Sequence, residues 1–253
     1  MPAARFAADA DAVAHVVLPG MTGDAPADEL TDDLVVGGAD GHHLERVRRL
    51  HPGEAVTVAD GRGRWRPYDV AATGAGRLEL VATGRVVVEP RLEPEVTLAF
   101  SLTKGTHPEQ VVRQATELGV DRLVPVVAAR SVARWKGDRA AAGVERLARI
   151  AREAAGQCRR ARLPVVAAPA PLASLADADG LLVADRTGTD AGAVPLPAGG
   201  QWVVVIGPEG GFDATELAVL DRSPRLAVGP HVLRAETAAV AALAALAGRR
   251  VAR

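Results

Sequence analysis

The sequence predicts an α/β protein in two parts, a small mostly β domain followed by a domain of parallel strands and crossover helices. Three observations carry this. Up to about residue 88 the chain is a series of short strand-like runs broken by turn residues, as in AHVVLPG, EAVTVADGRGRWRPYDVAAT and RLELVATGRVVVE, which reads as a small barrel over 1–88. EPRLEPE, residues 89–95, has prolines and charges but no apolar periodicity, and marks a linker. From 96 to 253 strand patterns alternate with helix patterns, the signature of a sheet whose parallel strands are joined by helices.

Within the first part only DGHHLERVRRL, 40–50, looks helical. In the second, VTLAFS (96–101) is a buried strand. A helix follows from Pro108, which suits a first turn, through Val111, Val112, Ala115 and Leu118 on one face, to a stop at Gly119. RLVPVVA (122–128) is the next strand. A second helix spans 143–158, with Val144, Leu147, Ile150 and Ala154 along one stripe and Arg146, Arg149 and Arg152 pointing elsewhere. LLVAD (181–185), WVVVI (202–206) and LAVG (226–229) are further strands, and an Ala-rich helix covers 236–248.

Composition narrows the class. With 253 residues, 48% hydrophobic and 24% charged, the chain can bury a core in each of two domains, and disordered or fibrous classes are excluded. Cys158 is the single cysteine, so no internal disulfide can form, and the scattered histidines lack metal-ligand spacing; a reducing cytoplasm and no metal are expected. Asp9 and Asp11 stand where a signal peptide would be apolar, and no apolar run reaches the roughly 18 residues that span a bilayer. The net charge of −1 conceals an uneven distribution. Residues 130–163 carry Arg130, Arg134, Lys136, Arg139, Arg146, Arg149, Arg152, Arg159, Arg160 and Arg162 against Asp138, Glu145 and Glu153. A weaker basic window at 42–68 holds Arg46, Arg48, Arg49, Arg62, Arg64 and Arg66 against Glu45, Glu54 and Asp60. Two such windows on a near-neutral chain suggest an anionic polymer as partner.

Residues 203–217, VVVIGPEGGFDATEL, raise a sharper expectation. The strand ends at Ile206, Gly207 and Pro208 open a turn, Gly210 and Gly211 can take positive φ, and Asp213 with Glu216 has the spacing of a capping box. A strand, an open loop and a helix make a ligand site at the carboxyl edge of an α/β sheet. No Lys-Ser/Thr follows the glycines, there is no G-x-G-x-x-G, and Glu209 would repel a phosphate. S-adenosylmethionine, which has no phosphate and carries a sulfonium cation, fits the loop better. LAVGPHVLRAETAAVAALAAL, 226–246, repeats the arrangement, so two loops can enclose one flat ligand. There the bland alternative is that Glu236 complements the helix dipole and Arg234 pairs with it.

IGPEGGF with its glutamate four residues on, GPHVLRAET, KG at 104–105 with TELGV at 116–120, EAAGQCRR at 153–160 and HHLERVRRLHPGEAVTVADGRG at 42–63 together resemble the bacterial 16S rRNA uracil-N3 methyltransferases of the SPOUT class. The resemblance covers nearly the whole chain. It implies a PUA-like RNA-binding barrel, a methyltransferase domain with a carboxyl-terminal trefoil knot, S-adenosylmethionine as cofactor, a homodimer, and the small ribosomal subunit as partner. Departures from the family pattern fall at His231 and at Gly156, Gln157 and Cys158. The candidate cofactor residues are Ile206, Gly207, Pro208, Glu209, Gly210 and Gly211 in one loop, and Val228, Gly229, Val232, Leu233 and Thr237 in the other.

Uracil N3 carries a proton and is a poor nucleophile until that proton leaves. Arg234 is the candidate for binding the negative charge that develops on the uracil oxygens, and Glu236 for the base or orienter. N3 lies on the Watson–Crick edge, so the target must be unpaired or displaced. His42, His43, Arg46, Arg48 and Arg49 in the first domain, and Lys104, Arg130, Arg134, Arg159 and Arg160 in the second, are the candidate RNA contacts. Trp65 and Trp135 lie in the basic windows and could stack on a base or simply pack. Two other readings stand beside this one: a ribose-methylating SPOUT enzyme using the same loops, and a non-catalytic RNA-binding assembly factor.

Overall fold

A computed structural model describes residues 6–18, 30–131, 133, 135 and 137–252. The chain divides into two compact units, Met1–Pro90 with Ala155–Leu163, and Arg91–Ala154 with Pro164–Arg253.

The first unit holds β1 (Ala14–Val17), β2 (Asp33–Val36), α1 (Gly38–His42), β3 (Ala55–Ala59), β4 (Arg64–Gly74), β5 (Arg77–Ala82) and β6 (Val87–Val88). They form one sheet in the order β1-β3-β4-β5-β2, with β6 also on β4; only β1 and β3 run parallel. Period-two burial explains the ladder: on β5, Leu78 and Leu80 are buried while Arg77 and Glu79 are exposed. Those leucines join Val56, Val58, Tyr68 and Val70 in one core. The helix expected at 40–50 is present in part, α1 continuing as a π-helical turn over His43–Val47 that buries Leu44.

Residues 155–163 read from sequence as part of the second domain, yet they pack with the first unit. Ala155 and Ala161 share a small apolar cluster with Ala7, Val17, Ala59 and Trp65. Arg159 donates from Nη1 to the Ala10 carbonyl at 3.1 Å and from Nη2 to that of Ala12 at 2.5 Å, and the Arg162 guanidinium donates to the Arg62 carbonyl. Trp65 is 2% exposed, so it packs and is not a stacking platform.

The second unit comprises β7 (Leu92–Glu93), β8 (Glu95–Ser101), α2 (His107–Glu117), β9 (Arg122–Val127), α3 (Asp138–Cys158, its end counted with the first unit), β10 (Val165–Val166), β11 (Ala170–Pro171), β12 (Leu181–Asp190), β13 (Gln201–Ile206), α4 (Ala214–Val219), β14 (Arg225–Ala227), α5 (Ala235–Ala247) and β15 (Val251–Ala252). The segment 89–95 therefore carries strand structure and is more than a linker. The main sheet has the order β10-β9-β8-β13-β12-β14, with β11 on β9, and every pairing in it is parallel. Both faces are covered, as such sheets require. Trp202, Val204 and Ile206 of β13 and Val96, Leu98 and Phe100 of β8 face α2, α3 and α5. Val203, Val205 and Ala99 join a second core with Leu172, Val183 and Leu220. β12 extends five residues past the expected LLVAD because its chain pairs with β14 twice: Ala184 and then, after an irregularity, Thr189 both lie opposite Leu226. No helix among the described residues is long and apolar enough to cross a membrane.

One buried base gives the first unit a measurable pH response. His15, 8% exposed, shares a 2.8 Å hydrogen bond with Thr57 Oγ1 across the β1–β3 pair. Burial, with help from the positive Arg159 and against a backbone hydrogen bond at Arg160, pulls its pKa down to about 4. Because the folded value lies below the unfolded one near 6.5, the stabilisation is complete above about pH 6.5 and is lost as pH falls toward 4. Urea denaturation at pH 7.5 and pH 5 should show the native chain losing about 2 kcal/mol more than His15→Gln over that interval.

Candidate active site and cofactor cavity

A cavity of about 420 Å³ opens at the carboxyl edge of the parallel sheet, within the size range of small-molecule sites. Its walls come from one strand and two strand-end loops: Val183, Ala184 and Asp185 within β12; Ile206 to Glu209, Gly211 and Phe212 at and after the end of β13; and Val232, Leu233, Ala235 and Ala238 around the start of α5. Leu217 and Arg225 complete it. Both loops singled out in the sequence thus meet at one cavity. Ser101 Oγ donates to the Ile206 carbonyl at 3.1 Å and fixes the point where β13 ends. Gly211 has φ +67°, a conformation that an L side chain resists, and a Cβ on Gly207 would stand 3.0 Å from the Phe212 ring. The turn is therefore shaped by its glycines and by the phenyl ring packed beneath them.

Of the expected cofactor residues, Ile206, Gly207, Pro208, Glu209, Gly211, Val232 and Leu233 line the cavity. Gly210, Val228, Gly229 and Thr237 do not. Val228 packs instead against the core on the helix side of the sheet. Thr237 lies one residue before Ala238, whose helical face shares the cavity with Ala235, so its own side chain points away. Val183, Ala184, Asp185, Phe212, Leu217, Arg225, Ala235 and Ala238 were missed by the sequence reading, and no glycine or capping signal marks the three on β12.

The cavity carries carboxylates. Asp185 Oδ1 accepts from the amide and hydroxyl of Thr187 at 2.9 and 2.8 Å, and these bonds, with a smaller contribution from Arg225, hold its carboxyl below the usual carboxylate range. Asp185 is thus ionised at neutral pH and Glu209 is exposed beside it. This suits a ligand with cationic groups and opposes a phosphate, in line with the expectation for S-adenosylmethionine.

The two expected catalytic residues flank the cavity without lining it. Arg234 is the N-cap residue of α5, exposed, and its guanidinium has no ion pair among the described residues. Glu236, in the first turn of α5, is mostly buried, and its Oε1 lies 3.2 Å from Nδ1 of His107 at the start of α2. The alternative pairing of Arg234 with Glu236 is absent among the described residues, and the cation-capable group near the carboxylate is His107.

The loop after β9 reaches the same place. Ala129 N donates to Glu216 Oε1 at 2.7 Å and Arg130 Nη1 donates to the Gly210 carbonyl at 2.8 Å. Glu216 Oε2 meanwhile accepts from Asp213 N at 3.0 Å, and Asp213 Oδ1 accepts from Glu216 N at 2.8 Å, the capping box of α4.

Residues 90–247 match the family model described as RNA methyltransferase domain, and residues 36–83 the model described as RNA methyltransferase PUA domain. The chain is 38% identical over 224 residues to Ribosomal RNA small subunit methyltransferase E of Mycobacterium bovis, covering 84% of this chain and 85% of that one. The chain belongs to the ribosomal RNA small subunit methyltransferase E family. The Bacillus subtilis protein of that name is 28% identical over 225 residues, 83% of this chain and 88% of its own. The crystal structure of a methyltransferase E of Neisseria gonorrhoeae bound to S-adenosyl methionine superposes with a TM-score of 0.78 at 25% identity, covering 92% of this chain and 96% of that one. As a member of this family the chain is an RNA methyltransferase of SPOUT type with a PUA-like domain, and its cofactor is S-adenosylmethionine.

The candidate RNA contacts of this methyltransferase are sorted by what their side chains already do. His42, His43, Arg46 and Arg49 are exposed on and after α1, as is Lys104 before α2. Arg48 is exposed but donates to the Val13 carbonyl at 2.7 Å. Arg130 holds the glycine loop, and Arg159 is half-buried on the Ala10 and Ala12 carbonyls. Arg160 is half-buried beside His15, and Arg134 lies outside the described residues. Trp135 packs over Gly143 with the Arg146 guanidinium 5.8 Å from its ring centroid. Glu216→Ala removes an amide acceptor on each side of the carboxylate, and urea denaturation should show a loss of about 1–2 kcal/mol.

Proposed function

We propose that this methyltransferase modifies N3 of a uridine in 16S rRNA, on the small ribosomal subunit, as a cytoplasmic homodimer whose second unit contains the trefoil knot. The observation that supports it best is the convergence of both family loops on one acidic, phosphate-averse cavity at the carboxyl edge of the sheet. The domain bounds proposed are RNA binding by 1–88, joined by 155–163, and methyl transfer by the remainder of 96–253 after the segment 89–95.

S-adenosylmethionine, when bound, supplies an electrophilic methyl group. Ile206–Glu209, Gly211, Val232 and Leu233 would hold it, with Asp185 and Glu209 as counter-charges to its cationic groups and Phe212 and Leu217 against its apolar surface. Arg234 offers a free guanidinium to the uracil oxygens as N3 loses its proton. Glu236, whose Oε1 lies 3.2 Å from His107 Nδ1, accepts that proton on a carboxylate oxygen. No metal is needed for these steps.

Methyl transfer to small ribosomal subunits lacking the modification, followed by nucleoside mass spectrometry, should yield N3-methyluridine; a ribose-methylated uridine would overturn the assignment to the base. Arg234→Ala should lower kcat about 100-fold with cofactor affinity unchanged. RNA affinity should fall steeply with salt, and the double variant Arg46→Ala, Arg49→Ala should flatten the log–log slope by about 1.5.

A further inference from the structure

Two expectations from the sequence fail together, and the failure has one cause. Gly210 belongs to the glycine loop but does not line the cavity, and Arg130 belongs to the basic segment but its guanidinium is turned onto protein. They meet each other. Arg130 Nη1 donates to the Gly210 carbonyl at 2.8 Å, and a Cβ on Gly210 would lie 3.4 Å from the Arg130 Cβ and 3.7 Å from its Cδ, so the arginine stem runs along the outer side of the loop. Beside it Ala129 N donates to Glu216, the residue whose other carboxylate oxygen caps α4 immediately after the loop. The turn that presents these groups is itself closed: Ser131 N donates to the Ala128 carbonyl at 3.0 Å, and Ser131 Oγ, in a residue 7% exposed, accepts from Ala128 N at 3.1 Å.

We infer that Arg130 is a positioning residue for the cofactor loop and not an RNA contact. The inference rests on the cofactor reading given above. A loop of glycines has many conformations of similar energy, and binding a ligand to it costs the entropy of selecting one. Gly207, Pro208, Glu209 and Gly211 all line the cavity, so any drift of the segment reshapes its wall at several points at once. Tying the Gly210 carbonyl to Arg130 and the following helix cap to Ala129 fixes the loop at two points on the side away from the ligand. The anchor is the end of β9, whose Val126 pairs with Ser101 of β8 in the middle of the sheet. The loop is thus set in its binding shape before the ligand arrives.

The test measures S-adenosylmethionine binding by calorimetry without RNA, and RNA binding separately over a range of salt. Arg130→Ala should weaken cofactor affinity about five- to tenfold, speed amide exchange in the 207–213 segment of the free protein, and leave the salt slope for RNA unchanged. Arg130→Lys, which keeps one donor on a stem of similar length, should restore most of the affinity, a rescue that a packing role would not predict. Unchanged cofactor affinity in Arg130→Ala overturns the inference, and a flattened salt slope in the same variant would return Arg130 to the RNA surface. Wild-type protein that binds no S-adenosylmethionine overturns the proposed function and this inference with it, whereas a change confined to RNA binding overturns this inference alone.

Discussion

The site depends on β13 lying between β8 and β12 in an all-parallel sheet. Parallel neighbours cannot be joined by tight hairpins, so each strand must leave at the same edge and return by a crossover. Every loop that follows a strand therefore opens on one side, and those after β13 and β14 close around one cavity together with β12. The same constraint requires apolar residues on both faces of β13, which is why Trp202, Val203, Val204, Val205 and Ile206 are all buried. With the strand fixed on both faces and at its final carbonyl by Ser101, the flexible glycine segment starts from a rigid point.

Two ligands of different charge set a second constraint. A cofactor with cationic groups is best met by carboxylates, and Asp185 is kept ionised by the amide and hydroxyl of Thr187. An RNA partner is best met by exposed cations, and on and after α1 His42, His43 and Arg49 have no ion pair among the described residues while Arg46 has only a 3.9 Å contact with Glu45. Placing Asp185 and Glu209 in a cavity and most bases elsewhere lets both interactions operate on a chain whose net charge is only −1.

The strands, helices and glycine loops were legible because their signals are local. VVVIGPEGG states a strand, a turn and positive φ within nine residues, and Asp213 with Glu216 states the helix start. What was illegible depends on distance along the chain. The second pairing of β12 with β14 arises from tertiary register and brings Asp185 to the cavity without any motif. Residues 155–158 end a helical pattern in sequence, and only Ala7, Ala59 and Glu89, far away in the chain, show that 155–163 belong with the first unit. Likewise the partner of Glu236 is His107, on another helix, where the local reading had suggested Arg234.

Arginine accounts for the largest gap between sequence and structure. A run of basic residues suggests a polyanion when charges are counted, but a guanidinium has five donors in a planar fork and can equally bind several backbone carbonyls. This chain uses that property repeatedly. Arg250, 9% exposed, donates to the carbonyls of Leu92, Pro94 and Gly119 as well as to Asp121, and Arg66 binds the carbonyls of Leu30 and Gly84. Arg159 and Arg162 do the same in the basic segment. Such side chains satisfy backbone carbonyls mostly outside the main sheets, which a lysine with its single ammonium could do for fewer of them. In a chain with 30 basic residues, of which only Lys104 and Lys136 are lysines, charge density therefore overstates the polyanion surface. The better guide is which cations lack a carbonyl to hold, and His42, His43, Arg46 and Arg49 belong to the exposed ones whose side chains hold none among the described residues.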